Sequence, residues 1–203
     1  MSELQLFPLG TTRGEDGELM IEGASVTDLV NQFGTPLYIY SENTLRAACR
    51  SYTQPIGDIY PNSTVMFAAK SYLDPTIAKI VGEEGLGVET VSGSEMQTVH
   101  RAGIPPELIT LHGNNKLTDE IDQAVDLGIG HLVADGTDDL QLIAERAYRS
   151  NRTANILLRL TPGISAHTHE YIRTGEIDSK FGIPIANGPV SYTHLTLPTN
   201  REV

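Results

Sequence analysis

Apolar and polar positions alternate along the chain in a way that predicts short buried strands separated by amphipathic helices. From residue 65 onward, five apolar runs are typical of strands, and the intervals between them carry apolar residues at helical spacing. The predicted strands are 65–69, 87–91, 108–112, 131–134 and 155–160, and the predicted helices are 75–84, 94–102, 118–127 and 137–150. Consecutive βα units build either an open doubly wound sheet or a (β/α)8 barrel, and alternation alone does not choose between them.

The predicted helix boundaries carry residues suited to capping. Asp74 precedes Pro75, which predicts an N-cap followed by proline at the first helical position. Gly85, Gly103 and Gly128 follow three of the predicted helices, as expected for left-handed caps at helix C-termini. These signals agree with the βα pattern.

The residues ahead of the repeat carry weaker signals. Residues 1–23 have no sustained period and are predicted to be irregular, whereas 26–33 are predicted to be helical. Residues 37–41 (LYIYS) are predicted to form a strand. Ser41 is then expected to cap another helix, which carries Cys49 on its apolar side.

Composition narrows the class of protein. The formal net charge of −12 argues against nucleic acid or an anionic membrane surface as a partner. The single cysteine, Cys49, cannot form an internal disulfide, which fits a reducing cytoplasm. No stretch approaches the roughly 20 apolar residues of a membrane-spanning helix, and nothing near Met1 resembles a signal peptide. We therefore expect a cytoplasmic globular protein.

Several polar residues stand at the predicted strand ends, where α/β enzymes concentrate their chemistry. Lys70 ends the first strand of the repeat, although a solvated loop lysine would produce the same pattern. Glu89 lies inside the second predicted strand, near its end, and His112 ends the third; Arg159, flanked by leucines, is expected to need a partner. Glu95 fits an acid in the first turn of a helix, which the helix dipole favours.

Several ordered motifs resemble the fold-type III pyridoxal-phosphate-dependent decarboxylases, and among them the diaminopimelate decarboxylase group. The motifs are FAAKS at 67–71, GVETVSGSE at 87–95, HGNNK at 112–116 and AHTHEYIRTG at 166–175, followed by SKFG. The resemblance selects the barrel. It implies that 37–190 form part of a pyridoxal-phosphate-binding (β/α)8 barrel, with about five βα units, and that 1–36 belong to a separate β-domain.

The resemblance also implies a role for each candidate residue. Lys70 would be the catalytic lysine that forms the Schiff base with pyridoxal 5'-phosphate and later moves protons. Glu89 would lie near that lysine, His112 would shape the cofactor side of the pocket, and Arg159 would face the phenolic oxygen of the cofactor. The implied reaction of the full-length homodimer converts meso-2,6-diaminopimelate to L-lysine and CO2. A related ornithine, arginine or carboxynorspermidine decarboxylase, or a non-catalytic cofactor-binding remnant, stays an alternative.

The resemblance stops near residue 190, before the family's sixth-strand histidine motif, its phosphate loop and its cross-subunit substrate motif. We therefore expect an N-terminal fragment with little activity of its own, and we interpret 191–203 as a foreign tail, a divergent natural tail being the alternative. His167 and His169 lack the accompanying ligands of a metal site, so no metal is expected. Residues 180–182 are predicted to position a loop near the active site.

Overall fold

The computed structural model of the protein describes residues 3–162 and 181–184. The chain divides into two compact units. The first contains the residues up to 65 together with 83–85, and the second contains residues 66–82 and those from 86 onward. Each unit is described by itself. Among the described residues, none of the helices combines the length and the apolar run that crossing a bilayer requires.

The first unit begins with a small antiparallel sheet and continues into two helices. Its elements are a 3-10 turn (Glu3–Leu6), β1 (Thr11–Arg13), β2 (Leu19–Ile21), β3 (Ala24–Ser25), α1 (Val26–Phe33) and α2 (Glu42–Ile59). The strands pair in the order β1-β2-β3. The irregular conformation predicted for 1–23 is therefore wrong, because strands of two or three residues are too short to show a period in the sequence.

The start of α2 shows one correct and one wrong prediction. Ser41 caps this helix as predicted, since its Oγ accepts the backbone N–H of Thr44 at 3.0 Å. The strand predicted for 37–41 does not form. Within the described part of the chain no strand pairs with this segment, and Tyr38 is 86% exposed. The alternating aromatic pattern indicates a strand, but a strand also needs a neighbour to bond with.

The second unit is built on a five-stranded parallel sheet in which the order of the strands follows the chain. The strands are β4 (Met66–Ala68), β5 (Gly87–Thr90), β6 (Ile109–Leu111), β7 (His131–Ala134) and β8 (Ile156–Leu158), and the intervening helices are α3 (Pro75–Glu83), α4 (Gly93–Arg101), α5 (Thr118–Leu127) and α6 (Thr137–Arg149). Each strand pairs with the one before it, so the predicted βα repeat is confirmed. A doubly wound sheet would reverse this order at a switch point, and a barrel does not.

The last predicted strand, 155–160, is divided in the structure. β8 ends at Leu158, and β9 (Leu160–Thr161) pairs instead with β10 (Ile183–Pro184) in a parallel two-stranded sheet. Arg159 lies at the division. Its N–H donates to the Ala134 carbonyl at 3.0 Å, and its own carbonyl accepts from Ile183 at 2.8 Å. The backbone thus passes from one sheet to the other at this residue.

The core of the second unit lies between the parallel sheet and the inner faces of its helices. Fully buried strand residues include Val88, Ile109 and Leu132, and α5 contributes Ile121. Both faces of the central strands are covered, as is usual for parallel sheets. Gly128 ends α5 with φ +66°, which confirms the predicted left-handed cap.

Candidate active site

Lys70 lies in a tight 3-10 turn, Ala69–Ser71, that follows β4 directly. Ala69 is buried, and Ser71 Oγ donates to the Ala68 carbonyl at 2.8 Å, so the turn is held on both sides of the lysine. Lys70 itself is exposed, and within the described residues its amine has no hydrogen-bond or ion-pair partner. This amine is therefore available to a ligand.

The helix after Lys70 begins at a carboxylate cap, as predicted. Asp74 Oδ1 accepts the backbone N–H groups of Thr76 at 2.6 Å and Ile77 at 2.9 Å. Donation from Ile77 is the main reason that the pKa of Asp74 is lowered, because it stabilises the charged carboxylate. The cap fixes the first turn of α3, which is where the loop that carries Lys70 ends.

A cavity of about 400 Å³ opens at the carboxyl ends of the parallel strands. The described residues that line it are Lys70, Glu89, Val91, His112, Gly113, Asn114, Asn115, Arg159 and Phe181. All four predicted site residues are among them, although they come from four different strand ends. Ligands of parallel α/β folds bind at this end of the strands, and the volume suits a small cofactor.

Glu89 and His112 form a hydrogen-bonded pair in the cavity wall. Glu89 belongs to β5, and His112 follows β6, where its N–H donates to the Thr90 carbonyl at 2.8 Å. This backbone bond brings His112 Nδ1 to 2.9 Å from Glu89 Oε1. Both side chains are part-buried, at 21% exposure for the histidine and 34% for the glutamate. The pair can therefore contact a ligand as well as each other.

Arg159 completes the polar wall. Its Nη1 lies 3.0 Å from Asp135 Oδ1 and 3.4 Å from His112 Nε2, and its guanidinium carbon lies 4.4 Å from the centre of the Phe181 ring. A guanidinium only donates hydrogen bonds. In this arrangement His112 Nε2 therefore accepts, and Nδ1–H donates to the Glu89 carboxylate. A polar network thus runs from Asp135 through Arg159 and His112 to Glu89.

Asp135 is the residue of this network that sequence reasoning missed. It follows β7 directly and its side chain is only 7% exposed. The signal that singled out Lys70, a charged residue where a buried strand ends, is present here too (VADG). Glu95, by contrast, lies in the first turn of α4, as expected, and accepts the Val91 N–H at 2.7 Å.

A buried ion pair lies behind the loop that carries His112. Lys116 Nζ lies 2.6 Å from Asp139 Oδ2 and 2.7 Å from the Gly113 carbonyl, and the lysine side chain is 1% exposed. The same Asp139 oxygen accepts the backbone N–H of Asp135 at 3.0 Å. Two loops that line or support the cavity are thereby joined through one carboxylate.

Two of the predictions concern residues beyond this description. His167, His169 and Lys180 lie outside the described residues. Among residues 3–162 and 181–184, no group of three or more histidine, cysteine, aspartate or glutamate side chains could hold a metal ion. Phe181 and Gly182 do lie beside the cavity network, through the Phe181 ring and the Gly182 N–H.

Residues 42–197 match the family described as pyridoxal-dependent decarboxylase, pyridoxal binding domain. The chain belongs to this family. The match ends within 191–203, and the foreign origin inferred for that tail stays a prediction. Among curated relatives, diaminopimelate decarboxylase from Mycobacterium tuberculosis is 38% identical over 183 residues, which are 90% of this chain and 40% of that protein. The enzyme of the same name from Halalkalibacterium halodurans is 40% identical over 184 residues, 90% of this chain and 42% of that protein.

Solved structures of similar proteins share the fold. The diaminopimelate decarboxylase of M. jannaschii superimposes with a TM-score of 0.81 at 26% identity, and 95% of this chain covers 45% of that one. The protein AQ1208 from Aquifex aeolicus gives 0.75 at 31% identity, with 93% of this chain covering 42%. The predicted incomplete (β/α)8 barrel is confirmed. The chain spans about 40% of the length of the curated relatives it matches.

Proposed function

We propose that the cavity beside Lys70 binds pyridoxal 5'-phosphate through the lysine amine. The observation that carries the proposal is the position of this amine, without a partner among the described residues and at a cavity shared with Glu89, His112 and Arg159. We propose further that the whole enzyme, of which this chain supplies the lysine-bearing part, decarboxylates meso-2,6-diaminopimelate to L-lysine and CO2.

The residues present fit this cofactor. It is an anionic aromatic aldehyde, so it needs an amine to bind its aldehyde, cationic donors for its oxygens and room for a ring. Lys70 supplies the amine and Arg159 the fixed positive charge, beside a cavity of about 400 Å³. When bound, the cofactor accepts the electrons left behind as CO2 departs from an amino acid.

The side chains of the cavity then have distinct tasks. Lys70 Nζ would bind the aldehyde and, as a free amine, would hold or deliver a proton at the reacting carbon. The Glu89 carboxylate, held by His112 Nδ1–H at 2.9 Å, lines the same cavity and would orient the lysine amine. Arg159 donates to an anionic oxygen of the ligand, and the Phe181 ring 4.4 Å away supports the guanidinium plane.

The choice of diaminopimelate as substrate rests on identities of 38% and 40% to enzymes named for it. A homodimer in the reducing cytoplasm, with no nucleic-acid partner, is the setting we propose for the whole enzyme. The net charge of −12 supports the absence of a nucleic-acid partner. Because the chain spans about 40% of its relatives' length, we expect it to form little or no lysine by itself.

Borohydride trapping tests the binding site directly. The chain has four lysines, at positions 70, 79, 116 and 180. Lys116 is buried against Asp139, so it should not react. After incubation with pyridoxal 5'-phosphate, reduction and digestion, we expect mass spectrometry to find the cofactor on Lys70 at near-stoichiometric yield. Lys70→Arg should abolish this adduct.

Lys79→Arg is the matched control, because Lys79 is also exposed and lies on the following helix. It should leave trapping at Lys70 unchanged. An adduct spread evenly over Lys70 and Lys79, or undiminished in Lys70→Arg, would refute the assignment. Supplying meso-diaminopimelate to the loaded chain tests the expectation that this chain alone has little activity, which robust lysine formation would contradict.

A further inference from the structure

We propose that Asp135 is a positioning residue, which fixes the guanidinium of Arg159 at the cavity and holds the segment beginning at Phe181 beside it. The consequence for cofactor binding rests on the proposed function. The positioning itself concerns only this chain's own side chains, and it can be measured without any ligand.

The two carboxylate oxygens of Asp135 accept hydrogen bonds from two different segments of the chain. Oδ1 accepts from Arg159 Nη1 at 3.0 Å, and Oδ2 accepts from the backbone N–H of Gly182 at 3.2 Å. The Asp135 side chain is only 7% exposed. A buried carboxylate needs such charged or backbone donors, and here both of its donors come from outside its own strand and loop.

The other contacts of Arg159 do not determine where its guanidinium points. The Phe181 ring, 4.4 Å from the guanidinium carbon, supports the plane of the group but leaves it free to turn within that plane. His112 Nε2 lies 3.4 Å away, which is a long hydrogen bond. The 3.0 Å contact to Asp135 is the short charge-assisted one, so it sets the direction of the remaining N–H groups.

Asp135 is itself held in place. Its backbone N–H donates to Asp139 Oδ2 at 3.0 Å, and that oxygen is paired with the buried Lys116 ammonium at 2.6 Å. On the other side, Gly182 has φ +77°, and a Cβ there would lie 2.6 Å from Thr161 Oγ1. The glycine therefore lets the backbone lie close to Thr161 and Arg159, in the position from which its N–H reaches Asp135.

Asp135→Asn tests the proposal, because asparagine keeps the shape but removes the charge. Asp138→Asn is the matched control: it is an exposed acid three residues further on, in the first turn of α6. Without cofactor, NMR hydrogen exchange at the Gly182 amide and the Arg159 guanidinium should speed up roughly tenfold in Asp135→Asn, since a charge-assisted hydrogen bond is lost. Asp138→Asn should change neither.

A double-mutant cycle with the cofactor separates positioning from a general structural role. We expect Asp135→Asn and Arg159→Met each to weaken capture of pyridoxal 5'-phosphate at Lys70 by roughly tenfold. In the Arg159→Met background, Asp135→Asn should add less than about a factor of two, because its effect acts through the arginine. Asp135→Glu keeps the charge, so its capture of pyridoxal 5'-phosphate should be intermediate between that of the wild type and that of Asp135→Asn.

The exchange and capture experiments each have an outcome that would overturn the positioning role of Asp135. Unchanged exchange in Asp135→Asn, or independent effects of the two substitutions on capture, would overturn the proposal. Unfolding of both Asp135→Asn and Asp135→Glu would also overturn it, because Asp135 would then be a general stability residue. A wild-type chain that captures no cofactor would contradict the proposed function instead, and the exchange rates would still decide whether Asp135 positions Arg159.

Discussion

Replacing Asp139 with alanine should destabilise the second unit strongly, because Asp139 is the counter-ion of a buried lysine. The Lys116 and Asp139 side chains are 1% and 17% exposed, and their charged atoms lie 2.6 Å apart. The substitution leaves the ammonium with the Gly113 carbonyl at 2.7 Å as its remaining acceptor among the described residues. It also removes the acceptor of the Asp135 N–H.

The size of the effect follows from these contacts. Removing one partner of a buried ion pair costs about 3–5 kcal/mol, because the other charge stays desolvated. The orphaned Asp135 N–H adds up to about 1–3 kcal/mol if water cannot reach it. Since Asp139 is 17% exposed, water can replace part of both losses. We therefore expect the free energy of unfolding to fall by about 3–5 kcal/mol in total.

Urea unfolding followed by circular dichroism measures this change. Glu145→Ala is the control, because the Glu145–Arg149 pair is 50% and 62% exposed and should contribute less than about 1 kcal/mol. Replacing both partners, Lys116→Met with Asp139→Leu, should restore much of the stability, since no buried charge is then left unpaired. A loss below about 1 kcal/mol in Asp139→Ala, or a double variant as unstable as the single one, would refute the reasoning.

Two further predictions concern a cap and a close packing contact. Asp74→Ala should cost about 1 kcal/mol at pH 7. Because donation from Ile77 lowers the pKa of Asp74, this cost should shrink as pH falls through that lowered pKa. Urea unfolding that shows the same cost at pH 7 and at a pH below the lowered pKa would contradict it. Gly87→Ala should lower the free energy of unfolding, measured in urea, by about 1–3 kcal/mol. The reason is that the new Cβ would lie 2.7 Å from the Leu108 carbonyl. Gly57→Ala is the control: it lies in an open helical position, so it should raise the free energy of unfolding by up to about 1 kcal/mol.

The βα repeat was predictable because its signals are local. A strand of apolar residues, an N-cap such as Asp74 and a glycine such as Gly128 each act within one or two turns of the chain. Two predictions ahead of the repeat failed, the strand at 37–41 and the irregular conformation of 1–23, and both involved strand pairing. Residues 37–41 have a strand-like pattern without a neighbour, and β1 to β3 are too short to have a pattern at all.

In the candidate site, too, local signals were predictable from the sequence and contacts between distant residues were not. The sequence by itself determined that Lys70, Glu89, His112 and Arg159 lie at or near the ends of buried strands, and parallel strands bring such residues to one edge. Only the tertiary structure decided which partner each side chain has, and it added Asp135, which contacts Arg159 24 residues away and Gly182 47 residues away. Strand order confirmed the barrel, which βα alternation had left open and the family resemblance had selected. Contacts between distant residues depend on register and on the path of the backbone between sheets, and neither leaves a periodic trace in the sequence.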